Sequence, residues 1–271
     1  MDGTPTLAPA AAAFDAIAEA FDERFGPWLS VAAQRRAVRS ALRDAFPPGA
    51  RVIEIGGGTG EDALWLMARG RQVLLTDVSP LMVRLAAAKF AAHPGAQAEI
   101  CAAEALASLV GRVAAPFDGA FSNFAALNCV SDLAPFASGL AKLLRPGAPV
   151  LLVVFGRICP GEWLVEVLRG RPKNAFRRIA AGDRPARLGG REFSVRYHRR
   201  REIERAMAPW FRPDGRQGVG VFVPPSAAEP WISGHRLLLG ALEALDRALA
   251  EPLASFGDHV LYRFVRSAAA A

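Results

Sequence analysis

A glycine-rich turn flanked by carboxylates is the stretch of this sequence whose residue types most directly suggest chemistry. The apolar run from Arg51 to Ile55 has the composition of a short buried strand and breaks into this turn. Glycines adopt positive φ and let a ligand lie directly against backbone N–H groups, as nucleotide-type cofactors do. Thr59 can cap the helix that follows, with Asp62 three residues on in the capping-box position. The glycines of the turn are Gly56, Gly57, Gly58 and Gly60.

A carboxylate at the end of the next predicted strand fits the same site. That strand covers residues 72–76 and is followed by Asp77 and Val78, so Asp77 stands 77 − 56 = 21 residues after Gly56. In nucleotide-binding sheets, a carboxylate at about this distance meets ribose hydroxyls at the neighbouring strand end. The spacing therefore predicts that Asp77, with Val78 beside it, contacts the ribose of a cofactor.

Spacing and charge separate two cofactor classes that use such a turn. A dinucleotide fingerprint needs a third glycine where this chain has Glu61, and Glu61 and Asp62 would repel a pyrophosphate. S-adenosylmethionine has no phosphate and carries an ammonium and a sulfonium group, which acidic residues suit. The turn therefore predicts S-adenosylmethionine as the cofactor, with Glu54 and the glycines around its methionine part. An NAD(P)-dependent oxidoreductase and a non-catalytic cofactor-binding domain stay open as alternatives.

Two segments carry a resemblance to a known family. The run from Glu54 to Ala63 and the segment from Thr76 to Met82 are similar to motif I and the next motif of class I S-adenosylmethionine-dependent methyltransferases. The likeness is strongest to the small-molecule branch of types 11 and 25, which includes ubiquinone, menaquinone and biotin-precursor methyltransferases, and it covers roughly residues 10–155. It implies in-line attack of a small, anionic or hydrophobic acceptor on the sulfonium methyl group.

The resemblance also implies roles for residues at later strand ends. It implies adenine contacts for Ala103 and Glu104, although the Asp that often precedes them is Ala102 here. The segment that begins at Asn123 resembles motif IV, which lies between cofactor and acceptor in the family. Asn123 is therefore expected at the cofactor. The acceptor-facing residues implied in the same way are Phe124, Leu127 and Asn128.

Alternating strand and helix patterns predict a doubly wound, Rossmann-like α/β sheet. Amphipathic spacing predicts two helices ahead of it, over residues 10–25 and 31–46. The resemblance implies seven strands, of which the last is antiparallel. The predicted strands span 51–55, 72–76, 96–101, 117–122, 148–155, 217–223 and 259–265, and the predicted helices among them span 61–69, 80–92, 131–144, 198–211 and 232–249.

These elements predict one domain over residues 1–271. Its expected parts are an N-terminal helical cover (10–48), a cofactor-binding core (51–155), a basic lid inserted after the fifth strand (156–197) and the completion of the sheet (198–271). Long, elaborated connections usually carry substrate specificity. We therefore expect the lid, with a strand over 192–197, to lie over the strand ends.

Positive charge is concentrated in and just after the predicted lid. The chain has a net charge of +7, and residues 156–216 carry 16 Lys and Arg against 7 Asp and Glu. Four interpretations stay open: binding of an anionic acceptor by Arg177, Arg178 or Arg196, peripheral contact with an acidic membrane, binding of nucleic acid as in an RNA methyltransferase, or a solvated basic face. Nucleic acid is disfavoured, because stacking aromatics are not interleaved with the basic residues and motif IV lacks the Asn-Pro-Pro-Tyr type of sequence.

General bases are less definite in the sequence than the cofactor residues. Tyr197 and His198, at the exit of the lid, are the expected catalytic residues, with His235 and His259 as alternatives, and a carboxylate acceptor would need no base. No cluster of His, Cys and carboxylates predicts a metal, and three widely separated cysteines fit a reducing cytoplasm. The sequence has no run of membrane-spanning length and no signal-peptide pattern, so we expect a cytoplasmic protein with a small-molecule acceptor.

Overall fold

Seven strands pair edge to edge in one sheet that runs through most of the chain. The computed structural model describes residues 7–93 and 95–268. Within these ranges the strands are β1 (Arg51–Ile55), β2 (Gln72–Asp77), β3 (Gln97–Ile100), β4 (Gly119–Ser122), β5 (Pro149–Phe155), β6 (Asp183–Leu188), β7 (Arg191–Arg196), β8 (Phe211–Val219) and β9 (His259–Arg266). The sheet has the order β3-β2-β1-β4-β5-β9-β8, and β6 and β7 form a separate hairpin.

The direction of the strands confirms the predicted Rossmann-like sheet. The strands from β1 to β5 pair in parallel, whereas β9 runs antiparallel to both of its neighbours, β5 and β8. Val52, Ile53 and Ile55 of β1 are all buried, because helices cover both faces of a parallel sheet. The apolar, β-branched composition of β1 follows from this position.

Ten α-helices lie in the described ranges, and most of them cover the sheet. They are α1 (Pro9–Asp15), α2 (Ala18–Phe25), α3 (Leu29–Ala45), α4 (Glu61–Met67), α5 (Pro80–Phe90), α6 (Leu133–Leu143), α7 (Pro160–Leu168), α8 (Pro172–Ala175), α9 (Arg200–Met207) and α10 (Arg236–Leu249). Side chains from α3, α4 and α5 pack on one face of the sheet and side chains from α6 and α9 on the other. None of these helices has the length and hydropathy to cross a bilayer.

The strand order reverses at β1, and this reversal determines where the predicted site residues meet. β1 pairs with β2 on one side and with β4 on the other, so the connections after these strands diverge from the same end of the sheet. Ligands of open parallel sheets bind in the crevice at such a point. The glycine turn follows β1, Asp77 ends β2 and Asn123 follows β4, so the topology brings these three together.

The N-terminal helices and the region around β8 differ from the predicted boundaries. The helix predicted over 10–25 is two helices, and the break at Ile17 coincides with its contact with the β6–β7 turn at Gly189. The helix predicted over 198–211 ends at Met207, because Pro209 cannot continue it. The strand expected at 217–223 begins already at Phe211, and its Pro213 is tolerated because β8 lies at the edge of the sheet.

The inserted segment, residues 156–197, folds as α7, α8 and the β6–β7 hairpin. The sequence predicts only the second strand of the hairpin, because β6 contains Arg184, Pro185 and Arg187, which are untypical of a strand. The hairpin lies against α1, where the rings of Phe14 and Phe193 have centroids 5.8 Å apart. It therefore lies next to the N-terminal cover, and its role as a lid stays a prediction.

Candidate cofactor and acceptor site

The glycine turn after β1 is packed too closely for side chains. The N–H groups of Gly56 and Gly57 donate to the carbonyl of Thr76, at 2.8 and 3.1 Å, which fastens the turn to β2. Gly56 has a φ of 67°, and a Cβ there would lie 2.2 Å from the Cβ of Ala126. A Cβ on Gly57 would lie 2.8 Å from the carboxyl carbon of Glu54. Glycine is therefore required where the turn meets the loop after β4 and the Glu54 carboxylate.

Three buried carboxylates surround this turn. They belong to Glu54, Asp62 and Asp77. The Oε2 atom of Glu54 is fully buried and has no hydrogen-bond partner among the described residues. Burial, reinforced by the charges of Asp62 and Asp77, raises the pKa of Glu54 well above its usual value. Such a carboxylate is unfavourable in the free protein and is stabilised by a cationic ligand.

Asp77 holds the turn and the start of α5 together. Its Oδ2 accepts a hydrogen bond from the N–H of Gly58 and its Oδ1 accepts one from the N–H of Ser79, both at 2.9 Å. Burial raises the pKa of Asp77, and these two backbone donors partly oppose the shift. Val78 is half-buried beside it. Asp77 therefore lies at the predicted place.

Asp62 is paired within the protein. Its Oδ1 accepts from Nε of Arg39 at 2.7 Å, and its Oδ2 accepts from Nδ2 of Asn123 at 2.7 Å. Asn123 in turn accepts from the N–H of Phe124 at 2.8 Å. Asp62 thus links α4 to the motif IV loop, and it contributes to the site by placing Asn123 and by adding negative charge beside Glu54.

Thr59 differs from its predicted role as a helix cap. The residue before α4 is Gly60, and it has no side-chain capping bond. The Oγ1 of Thr59 instead donates to Asp22 in α2, at 2.6 Å, and Asp22 also accepts from Nζ of Lys89 at 2.5 Å. The hydroxyl of Thr59 therefore holds the N-terminal cover on the glycine turn.

The motif IV loop combines backbone strain with fixed side chains. Phe124 and Ala125 have φ values of 45° and 64°, in the left-handed region that residues with a Cβ seldom adopt. Leu127 is buried in the core on one face of the sheet. Asn128 donates from Nδ2 to the carbonyl of Arg196 at 2.5 Å and accepts the N–H of Phe155 at 2.9 Å. Leu127 and Asn128 are therefore structural, which corrects their expected acceptor contacts, and Phe124 remains at the surface of the site.

Four aromatic rings lie together at the ends of β4 and β5. The ring of His259 stacks on Phe155 with centroids 4.9 Å apart and meets Phe124 edge-on at 5.8 Å. The ring of Tyr197 lies 5.8 Å from that of Phe155 and is tilted against it by 47°. This group, Phe124, Phe155, Tyr197 and His259, forms an aromatic cluster beside the motif IV loop, and the guanidinium of Arg178 lies 5.0 Å from the centroid of Phe155.

The predicted general bases have different surroundings. Burial raises the pKa of Tyr197, so its phenol is neutral at physiological pH. His198 is buried with Nε2 3.2 Å from the carbonyl oxygen of Leu127, and burial lowers its pKa. His198 is thus buried and bonded within the fold, and its expected catalytic role stays a prediction. His235 is exposed and bonded to the carbonyl of Trp231, whereas His259, whose pKa is lowered by burial, belongs to the aromatic group.

The three arginines expected to bind an anionic acceptor are engaged with the protein itself. Arg178 is buried and contacts Asp258 at 2.7 Å, as well as Glu162 and the carbonyl of Gly156. Burial would lower the pKa of Arg178, but Asp258 and Glu162 raise it further than burial lowers it. Arg177 pairs with Glu162, and Arg196 donates to the carbonyl of Ser131 at 2.9 Å. Arg178 is therefore committed to a buried ion cluster, which corrects its expected contact with the substrate, whereas anion binding by Arg177 and Arg196 stays a prediction.

Residues after β3 occupy the place implied for adenine binding. Ala103 begins a short 3-10 helix and is half-buried, and Glu104 follows it with an exposed side chain. Their adenine contacts stay a prediction.

Arg35 is a site residue that the sequence reading did not identify. It extends from α3 with a buried Nε that has no hydrogen-bond partner within the described ranges, 4.0 Å from Oδ1 of Asp62. Its guanidinium carbon lies 5.1 Å from the centroid of Phe124. The sequence does contain an indication of this role, because Arg35 and Arg39 have a spacing that places both on one face of a helix. The roles of Asp15, which accepts from Oγ of Ser79, and of Asp22, which accepts from Thr59, were not predicted either. The amphipathic pattern of a helix does not indicate which element the helix will cover.

These features fit a cofactor that is cationic and has no phosphate. An unpartnered, buried carboxylate on Glu54 suits an ammonium group, and an unpartnered Nε on Arg35 suits a carboxylate. Both groups occur together in an amino acid, which is the methionine end of S-adenosylmethionine. The three buried acids would oppose a pyrophosphate at the same turn.

Comparison with known proteins identifies the class of this domain. Residues 52–147 match the family model described as a methyltransferase domain. A stretch of 157 residues, 56% of this chain, is 31% identical to the biotin biosynthesis bifunctional protein BioHC of Cellvibrio japonicus. The match spans only 29% of that longer relative.

Solved structures share the fold at low sequence identity. A structure of an S-adenosylmethionine-dependent methyltransferase from Methanosarcina mazei has a TM-score of 0.54 at 19% identity, over 84% of this chain and 96% of the other. The 1,6-didemethyltoxoflavin-N1-methyltransferase of Burkholderia thailandensis, with S-adenosylhomocysteine bound, has a TM-score of 0.55 at 18% identity, over 98% and 93% of the two chains. These likenesses concern the fold alone.

Residues 52–147 are therefore a methyltransferase domain, in a fold shared with S-adenosylmethionine-dependent methyltransferases. This confirms the resemblance to class I methyltransferases and supports S-adenosylmethionine, the cofactor predicted from the glycine turn. The dinucleotide-dependent alternative is not favoured. The narrower likeness to the ubiquinone and menaquinone branch stays a prediction.

Proposed function

We propose that this protein transfers a methyl group from S-adenosylmethionine to a small acceptor with an apolar or aromatic body. The observation that carries the proposal is the buried, unpartnered carboxylate of Glu54 beside the glycine turn, within a group of three acids. A cofactor with a cationic end relieves this charge, and phosphate-bearing cofactors do not. When bound, S-adenosylmethionine supplies a methyl group activated by a positively charged sulfur.

Each residue around the turn has a separate proposed role. Glu54 accepts hydrogen bonds from the ammonium group, and Arg35 donates to the carboxylate at the same end. Asp77 accepts from the ribose hydroxyls while it keeps the turn fastened through Gly58. The backbone of the glycine turn, Ala103, Glu104 and Asn123 complete the contacts.

The chain contributes to the reaction mainly through alignment and exclusion of water. Thr59 and Ser79 hold α2 and α1 over the turn through Asp22 and Asp15, with hydrogen bonds of 2.6 and 2.8 Å. These contacts keep solvent from the site and fix the approach of the acceptor.

The aromatic group next to the motif IV loop is the proposed acceptor surface. Its rings favour planar or apolar molecules, because aromatic pairs gain from stacking. Arg178 is buried in an ion cluster, and the proposed contact of an anionic acceptor is therefore Arg35, beside Phe124. Tyr197 is proposed to orient an acceptor hydroxyl by a hydrogen bond from its neutral phenol, and a carboxylate acceptor would need no base.

Calorimetric titration with S-adenosylmethionine, S-adenosylhomocysteine and NADH tests the cofactor assignment. We expect micromolar binding of the first two and none of NADH. A panel of aromatic hydroxy acids, quinols and aliphatic carboxylic acids would then be tested with radiolabelled methyl donor. Absence of S-adenosylmethionine binding would overturn the proposal. Binding without turnover of any acceptor would favour a domain that only binds the cofactor.

A further inference from the structure

Helix α7 presents its polar and apolar residues in the reverse of the usual arrangement. Its two glutamates face inward: Glu162 is 1% exposed and Glu166 is 7% exposed. Three aliphatic residues face solvent instead, with exposed fractions of 62% for Leu164, 52% for Val167 and 77% for Leu168. A surface helix normally buries its apolar stripe, so this inversion leaves an apolar row in water at positions i, i+3 and i+4.

Ionic contacts fix the inverted orientation. Glu162 pairs with the buried guanidinium of Arg178 and with Arg177, and Glu166 accepts from Nδ2 of Asn174 at 3.2 Å. Rotation of α7 to bury its leucines would expose these contacts and leave Arg178 without one of its two carboxylates. The ionic contacts of the fold therefore keep the apolar row exposed.

The exposed charged residues of the segment that contains the apolar row, residues 160–179, are all positive. Between residues 160 and 179 the acidic residues are Glu162 and Glu166, and both are buried. Arg169, Arg171 and Lys173 are exposed immediately after α7. Phe176, 55% exposed, follows α8, and its ring contacts Trp163 at 5.3 Å. We name this surface the α7–α8 patch; it comprises Leu164, Val167, Leu168, Phe176, Arg169, Arg171 and Lys173.

We propose that the α7–α8 patch docks this protein on an anionic lipid surface. Aliphatic side chains flanked by Arg and Lys match the boundary between acyl chains and negatively charged headgroups, where the apolar row is buried and the basic residues meet phosphates. Nucleic acid would use the charges but leave the aliphatic row in water. Both glutamates of α7 are buried and paired inside the protein, so their negative charges do not face the anionic surface that would repel them.

Co-sedimentation with lipid vesicles tests this inference without a methyl acceptor. The full chain is mixed with vesicles of phosphatidylcholine alone or of phosphatidylcholine with phosphatidylglycerol, at low and high salt. We expect binding to the vesicles that contain phosphatidylglycerol, weaker binding at high salt, and little binding to phosphatidylcholine alone. Brominated acyl chains should quench part of the tryptophan fluorescence, because Trp163 lies against Phe176 of the patch.

Two double variants separate the apolar and the electrostatic contributions. Arg171→Gln with Lys173→Gln should weaken binding about 25-fold, since each basic residue near an anionic membrane contributes about a factor of five. Leu164→Ser with Leu168→Ser should weaken it roughly tenfold or more through lost apolar insertion. The matched controls are Arg43→Gln with Arg112→Gln, two equally exposed arginines elsewhere, and Val110→Ser, an exposed apolar residue after β3. Both should bind as the unmodified protein does.

Three results would overturn the inference. The first is absence of binding to vesicles that contain phosphatidylglycerol. The second is equal loss in the control variants, which would indicate a non-specific effect of net charge. The third is a dimer that the double serine variant dissociates while vesicle binding is unchanged, which would assign the apolar row to a second copy of the chain. Circular dichroism and thermal unfolding of each variant check that a loss of vesicle binding is not caused by a loss of folding.

Discussion

The protein buries two groups of charged side chains, and the two differ in whether their charges are compensated. Around the glycine turn, Glu54, Asp62 and Asp77 form an acidic group in which Arg39 is hydrogen-bonded to Asp62 but Glu54 has an unpartnered oxygen among the described residues. Around Arg178, by contrast, Glu162 and Asp258 supply two carboxylates to one guanidinium. The first group is incomplete without a ligand, and the second is complete without one.

This difference separates a binding site from a structural ion cluster. Burial of a charge without a partner is costly, so a protein retains such a group where a ligand later compensates it. A paired internal group needs no ligand, and removal of one member leaves the others uncompensated. Net charge alone does not make this distinction, because Arg178 belongs to the most basic segment of the chain and yet lies inside the fold.

The largest expected effect comes from breaking the compensated group. Arg178→Met leaves Glu162 and Asp258 buried without their cation, and we expect the free energy of unfolding to fall by about 3–5 kcal/mol. Urea denaturation measures this change. Arg177→Gln is the control, because the Arg177 side chain is 52% exposed and, among the described residues, pairs only with Glu162; it should cost at most about 1 kcal/mol. If the Arg178→Met protein is as stable as the unmodified one but no longer methylates, Arg178 would instead be a substrate-binding residue.

Asp77 belongs to the incomplete group and should affect cofactor binding most. Asp77→Ala removes an acceptor for the ribose hydroxyls, and we expect a loss of about 1.5–3 kcal/mol in S-adenosylmethionine binding. Calorimetry measures this affinity. Asp77→Asn separates two effects, since its amide oxygen can still accept from Gly58 or Ser79 and keep the turn in place. An unchanged affinity in the alanine variant would contradict the ribose assignment.

Glu54 should affect binding and stability in opposite directions. Glu54→Gln keeps the shape but removes the charge, so we expect S-adenosylmethionine to bind about 1–2 kcal/mol more weakly while the free protein becomes more stable at neutral pH. The folded-state pKa of Glu54 is raised, so the folded protein binds more protons than the unfolded chain between the two pKa values. The stability of the unmodified protein should therefore rise as pH falls through that window, and the difference between it and Glu54→Gln should shrink. A difference that is independent of pH would contradict the buried-charge explanation.

The cofactor-binding half of the fold could be predicted from sequence because its determinants are local. A strand, a glycine turn and a carboxylate at the next strand end are all set by residue types at fixed spacing, and Gly56 shows why: no side chain fits against Ala126. The antiparallel final strand followed only from the family resemblance. β6 and the early start of β8 were missed, because Pro185, Pro213 and Gly215 are residues that strand patterns exclude.

Side-chain roles far from the turn could not be predicted, because they depend on partners distant in sequence. Asn128 and His198 are polar residues in a promising segment, yet their partners, Arg196 and Leu127, are 68 and 71 residues away. Arg178 finds Asp258 80 residues later. Composition reveals that such residues are polar or charged, and only the fold shows whether their bonding capacity is already used.

Arg35 offers a test of the incomplete group that is independent of its acids. We expect Arg35→Gln to weaken S-adenosylmethionine binding by about 1 kcal/mol through loss of a charge-assisted hydrogen bond to the methionine carboxylate. The affinity for 5′-methylthioadenosine, which lacks the amino-acid part, should not change. Parallel titrations with both ligands measure this. Equal weakening of both would mean that Arg35 supports the site only through Asp62 and Phe124.

The smallest expected effect concerns the helical cover. Asp22 joins α2 to Thr59 and Lys89, but both members of the Asp22–Lys89 pair are partly exposed, with side chains 40% and 28% accessible. A solvent-open cleft of about 240 Å³ separates α2 from α3 beside Asp22. Asp22→Asn should therefore weaken the cover by about 0.5 kcal/mol, which corresponds to roughly a twofold faster release of S-adenosylhomocysteine in stopped-flow experiments. Asp44→Asn, which removes a more exposed pair with Arg43 away from the cover, is the control. If both variants release the ligand at the unmodified rate, the cover does not limit release, and the contacts of Asp22 serve the resting fold alone.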